Sequence, residues 1–230
     1  MNFLIVGDSW GYSLPYPNKD FKWLEYNLIA KGNTVYNRSV WGGTNYRSLN
    51  DATFFLEQTE SKIQIDTVIW YNTCLLRDAK LHLQHPENIM EQPNITYDKV
   101  IQYLSDKVVG QVENIRNKFP NIKWCIIGGH APVYQPEKYT WADFMITDWR
   151  SELLQEDVPG SHSLGEIEWL QQNLDNLGAD VVEAELKIHE SIYQKCNNRR
   201  DIFFDSIHPD AEHSYFLSER IARHFNCIHN

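Results

Sequence analysis

The chain reads as an α/β protein built on a parallel sheet covered on both faces. Stretches of strand length alternate with helical patterns, and several of the strand-like stretches are apolar throughout. A strand with one wet face alternates apolar and polar residues, whereas one buried under helices on both sides does not. No internal repeat, low-complexity tract or linker interrupts the pattern, which assigns residues 1–230 to a single domain.

Taken in order, strands are expected at 2–7, 34–39, 65–72, 122–129 and 180–184. From 97 to 119, Ile101, Leu104, Val108, Val112, Ile115 and Phe119 recur at three- and four-residue spacing. They mark one apolar helix face that Pro120 ends. A second helix is expected from Ser163 to Gly178. Ser163-Leu-Gly-Glu166 has capping-box form, and Leu164, Ile167, Leu170, Leu174 and Leu177 make its apolar face. A last helix starts near Asp210 and buries Leu217, Ile221 and Phe225. Residues 77–93 and 133–160 are rich in Pro, His, Gln and aromatics, and each follows a strand. Each therefore projects over the carboxyl edge of the sheet, either as a lid or pocket wall or as a surface excursion with one or two short helices.

Composition narrows the partners. Hydrophobic residues at 42% and charged residues at 23% are those of a globular protein able to bury a core without disulfides. A formal charge of −10 with no basic run argues against nucleic acid or an anionic membrane as the main partner. There is no basic start followed by an apolar segment and cleavage site, and no apolar stretch long enough for a bilayer, so a cytoplasmic location is expected. Cys74, Cys125, Cys196 and Cys227 are scattered without a CxxC pair, which fits free buried thiols better than a disulfide frame or zinc site. His82 and His85 are spaced i,i+3 but have no carboxylate-rich stretch beside them, so no metal is expected there.

In a parallel α/β sheet, ligands bind beyond the carboxyl ends of the strands. Gly7-Asp8-Ser9, Asn72 and Gly128-Gly129-His130 all fall there. The first group is either a turn of small polar residues or a serine placed for chemistry. A serine hydroxyl needs a base to take its proton and a third group to orient that base. Asp205 and His208, three apart in "DSIHP", offer both: the carboxylate holds Nδ1–H and Nε2 accepts the proton. Alone, the same residues are a structural turn with a solvated histidine. Gly42 or Gly43 can bring a bare backbone N–H to a developing oxyanion, and Asn72 a side-chain amide; as isolated features they read as a turn and a strand cap. Trp10, Trp41 and Trp70 each lie within two residues of such a position, as pocket walls for an acyl chain or sugar ring or as core. His130 is either a substrate contact or stand-in base, or a hydrogen-bonded pocket-wall residue. His213, with Asp210 and Glu212, belongs to the first turn of the last helix.

Together, Gly7-Asp8-Ser9, Asn37-Arg-Ser-Val-Trp-Gly42, Asn72 and Asp205-Ser-Ile-His208-Pro209 stand in the order and internal spacing of the four blocks of the SGNH (GDSL-type) hydrolase superfamily, which this chain resembles from residue 3 to the last helix. The resemblance implies a flavodoxin-like three-layer α/β/α fold with a parallel five-stranded sheet in the order 2-1-3-4-5. It implies Ser9 as nucleophile, His208 as base and Asp205 as its orienter. The Ser9 N–H, Gly42 N–H and Asn72 side chain would form the oxyanion hole. It also implies ester hydrolysis through an acyl-enzyme without metal or cofactor, on a small-molecule or glycan ester. Short acyl groups such as acetyl on a carbohydrate fit the Trp-rich site. The alternatives are a non-catalytic binding module on the same scaffold, or an acyltransferase using the same triad. The chain departs from the family at the third block, usually Gly-x-Asn-Asp, where Trp70 and Thr73 replace the glycine and the aspartate. The replaced aspartate commonly braces the loop.

Overall fold

A computed structural model describes residues 1–11, 24–59, 62–82, 96–158, 162, 164–173, 179–203 and 208–227. Five strands, β1 (Asn2–Val6), β2 (Thr34–Asn37), β3 (Thr67–Asn72), β4 (Lys123–Gly128) and β5 (Phe144–Ile146), form one sheet in the order β2-β1-β3-β4-β5. Every pairing is parallel, with Val6 opposite Trp70 and Asn72 opposite Gly128. These are the order and layering that the resemblance implies.

The helices are α1 (Leu24–Ala30), α2 (Asn45–Thr59), α3 (Leu75–His82), α4 (Tyr97–Lys118), α5 (Trp149–Leu154), α6 (Leu164–Asn173), α7 (Ala179–Asn198) and α8 (Ala211–His224). Alternate strand residues feed two separate cores. Leu4, Val6, Val68, Trp70, Trp124 and Ile126 pack under α2, α3 and α4. Phe3, Ile5, Ile69, Tyr71, Cys125 and Ile127 pack under α1, α5, α7 and α8. Each such side chain contributes roughly 1.5–3 kcal/mol of transfer free energy, and a sheet wet on one face would forfeit half of that set. Caps fix the helix starts: Thr96 accepts from the Lys99 N–H at 3.4 Å, and Asp210 from the His213 N–H at 2.9 Å.

The expected fifth strand is corrected. Residues 180–184 lie in α7, where Ile188, Ile192 and Cys196 turn inward at four-residue spacing. The β-branched pair Val181-Val182 imitates a strand, but burial follows the helical period. The actual fifth strand has 3 residues and lies inside 133–160, an excursion that also carries α5. The other excursion begins as α3; residues 83–95, with His85, lie outside the described residues, as does the side chain of His82. On α6, Ile167 and Leu170 are buried as expected, but Leu164 is exposed; Ser163, Leu174, Leu177 and Gly178 lie outside the described residues. Among the described residues, no helix is long and apolar enough to cross a membrane.

Candidate active site

The turn after β1 is built around two glycines that nothing larger can replace. Gly7 has φ +148°, and a Cβ there would sit 2.6 Å from Tyr71 Cβ. A Cβ on Gly43 would sit 2.7 Å from the Gly7 carbonyl oxygen. The chain therefore bends sharply against the end of β3 and against the second loop. Asp8 is fully buried and closes the turn: the Trp10 N–H donates to Oδ1 at 3.0 Å, and the Gly11 N–H to the Asp8 carbonyl at 3.2 Å. Its other oxygen accepts from the Thr73 hydroxyl at 2.7 Å and from Arg77 Nη1 at 3.3 Å.

Between these fixed points Ser9 is half-buried, and its Oγ lies 2.8 Å from His208 Nε2. The two residues are 199 positions apart and are joined by the fold alone. His208 is held at the start of α8 by an antiparallel bridge between Phe203 and Pro209 and by the Asp210 N–H, which donates to the Ile202 carbonyl at 2.7 Å. Asp205, the expected orienter, lies outside the described residues.

The second loop is tied to the first by Asn37. Its Nδ2 donates to the Gly11 carbonyl at 2.8 Å and to Glu25 Oε2 at 2.9 Å, while Oδ1 accepts from the Ser39 N–H at 3.0 Å. Gly42 has φ +67° and open space where a Cβ would point. Neither the Ser9 N–H nor the Gly42 N–H takes part in the turn hydrogen bonds of the described residues. Asn72 ends β3, almost wholly buried, and its Nδ2 donates to the Pro132 carbonyl at 2.9 Å. That bond uses one of the amide's two hydrogens and fixes its plane.

The aromatic residues separate. Trp41 is 58% exposed, and its ring lies 5.1 Å from that of His208 at 36°. Trp10 is buried 6.4 Å from the same imidazole, with Gly129 against its ring. Trp70 is corrected: it is fully buried beneath the sheet, edge-on to Tyr139, and forms core rather than pocket wall. β3 alternates, so Trp70 points to the face away from the Gly7 turn that Tyr71 meets. His130 is buried beyond β4, and its Nε2 has no hydrogen-bond partner among the described residues. Burial, helped by the positive charges of Arg77 and Arg150, pushes its pKa down to about 3, which keeps it neutral.

Sequence reasoning missed Arg77. It joins the turn after β1 to α6, bonding Asp8, the Gly43 carbonyl at 3.3 Å and, through Nε, Glu166 at 3.0 Å. The only trace in the sequence is a lone cation after the apolar Leu75-Leu76. Thr73, where the resemblance implies a bracing aspartate, braces the turn by donating its hydroxyl to the buried Asp8 carboxylate.

Solved structures of similar chain course include an acetyl xylan esterase, AlAXEase (15% identity over 97% of this chain and 98% of that one, TM-score 0.44). Another is the psychrotrophic esterase EstA from Pseudoalteromonas sp. (12% identity, 98% and 96%, TM-score 0.44). A third is the lipase/acylhydrolase from Enterococcus faecalis (14% identity, 96% and 93%, TM-score 0.41). No family model and no curated protein matches the chain. At these identities the likeness describes the course of the chain and none of its chemistry.

Proposed function

On a fold of the SGNH (GDSL-type) hydrolases, we propose that this chain is a serine ester hydrolase. The observation that carries the reading is the 2.8 Å contact between Ser9 Oγ and His208 Nε2 at the carboxyl edge of the sheet. Ser9 attacks the ester carbonyl carbon while its proton passes to His208 Nε2. The carbonyl oxygen, now negative, is received by the Ser9 N–H, the Gly42 N–H and the second N–H of the Asn72 amide. Collapse of the tetrahedral intermediate expels the alcohol, which takes the proton from His208. Water, deprotonated by the same imidazole, then attacks the acyl-serine and releases the carboxylic acid. Asp205 is the group assigned to orient His208.

Within this reading the substrate is a short-acyl ester, such as an acetyl group on a sugar. The support is Trp41, an exposed aromatic face beside the base, suited to stack on a sugar ring. Trp10 supplies an apolar wall beneath it.

The test is a nitrophenyl ester series from acetyl to palmitoyl, with Ser9→Ala as blank. Turnover that peaks at acetyl and vanishes in the variant is expected. Activity retained in Ser9→Ala rejects the mechanism, and a maximum at long chains rejects the acyl preference alone.

A further inference from the structure

Behind the nucleophile turn, on the far side of Arg77, lies a second cluster that the ester reading does not use. Cys74 follows Asn72 and Thr73 at the end of β3, and its Sγ is 2.8 Å from His162 Nδ1. The donor atoms of Cys74, His162 and Glu166 all lie within 4.8 Å of one another, and all three side chains are buried. The other imidazole nitrogen is occupied too: His162 Nε2 bonds the Tyr97 hydroxyl, and a Glu185 oxygen stands 4.0 Å from it.

We propose that Cys74, His162 and Glu166 form a binding site for a divalent transition metal, zinc in the first instance. One sulfur, one imidazole nitrogen and one carboxylate oxygen are the donors that zinc takes, whereas magnesium and calcium select oxygen alone. A ligating histidine normally has its second nitrogen held by a carboxylate or another polar group, which fixes the ring. Tyr97 and Glu185 supply that support. The charge also closes. Zinc replaces the thiol proton, Cys74–SH + Zn²⁺ giving Cys74–S⁻–Zn²⁺ + H⁺, and the thiolate and the Glu166 carboxylate together balance the dication. Glu166 also bonds Arg77 Nε through Oε1, which ties the cluster to the cation beside Asp8.

Tetrahedral zinc with bonds of about 2.3 Å to sulfur and about 2.0 Å to nitrogen sets those two atoms roughly 3.5 Å apart. The two atoms now stand 2.8 Å apart, so loading separates the pair by less than an ångström. The fourth position falls to water. Bound there, the ion ties the end of β3, which carries Asn72, to α6. The site stands independently of the ester-hydrolase reading.

The experiment expresses the untagged chain in cobalt- or zinc-supplemented minimal medium, so that metal is present while the interior forms. Metal content is read by mass spectrometry after gel filtration, and the cobalt protein by absorption. One metal per chain and a sulfur-to-cobalt charge-transfer band are expected, both lost in Cys74→Ser and His162→Ala. Zinc is expected to raise the melting temperature of the parent relative to the chelated chain. A parent without stoichiometric metal, or a cobalt form without the charge-transfer band, overturns the site even if neither variant folds. A band that survives Cys74→Ser overturns it as well.

Discussion

Two pairs in this molecule set a nucleophilic atom at the same 2.8 Å from an imidazole nitrogen, Ser9 with His208 and Cys74 with His162. The first lies at the carboxyl edge of the sheet, with Ser9 half-buried and an exposed Trp41 ring 5.1 Å from that of His208. The second is sealed between α3, α4, α6 and α7, with Cys74 fully buried. Burial, reinforced by the Glu166 carboxylate, pushes the Cys74 thiol well above its usual range, and burial pushes His162 down to about 4. Both shifts favour neutral partners and leave the thiol unactivated. Equal distances thus support different chemistry. On the proposed reading, access and donors for the developing charge separate the two pairs.

The largest expected effect removes the reactive member. Ser9→Ala should lower kcat by about 10⁶-fold, read on nitrophenyl acetate, whereas Cys74→Ser should leave kcat within about tenfold if the sealed pair takes no part in turnover. Next is the oxyanion site. Asn72→Ala should cost about 10²- to 10³-fold in kcat with little change in KM, the loss of one transition-state donor.

Arg77 links the two regions. Its replacement by methionine leaves Asp8 and Glu166 buried without their shared cation, which should lower unfolding free energy by about 3–5 kcal/mol in urea titrations. Turnover should fall as well, because Asp8 sets the turn that carries Ser9.

A smaller effect concerns pH. His130, facing Arg77, Arg150, Glu166 and His208, is pushed down to about 3, below the ordinary histidine value. The folded state binds fewer protons than the unfolded chain between these values. The group's contribution is therefore complete above about pH 6.5 and is lost as pH falls toward 3. His130→Gln should remove part of the stability lost between pH 6.5 and 4.5, on the order of 2 kcal/mol, measured by urea unfolding at both values. A variant that loses as much as the parent would show that this buried imidazole does not govern the acid limb.

Much of this arrangement was legible in the sequence because it is local. Strands β1 to β4 show as apolar runs, α4 as a six-residue stripe, and Ser9, Gly42, Asn72 and His208 stand next to the elements that present them. What was not legible depends on contacts far apart in the chain. β5 has 3 residues and takes its identity from pairing with β4, while residues 180–184 carry a strand-like valine pair inside a helix. Arg77 meets partners 69 and 89 positions away, and Cys74 meets His162 across 88. No spacing rule reaches that distance. The same limit explains why Trp70, beside Asn72, stayed open between pocket wall and core: the face it points to is set by strand register, which two residues of sequence do not reveal.

The claim that Ser9 alone is an activated nucleophile is tested most directly by treating the native chain with a fluorophosphonate probe and locating the adduct by peptide mass spectrometry. Stoichiometric labelling of Ser9, reduced at least a hundredfold in His208→Ala, is the predicted result. An unlabelled Ser9, or labelling indifferent to the loss of His208, would contradict it.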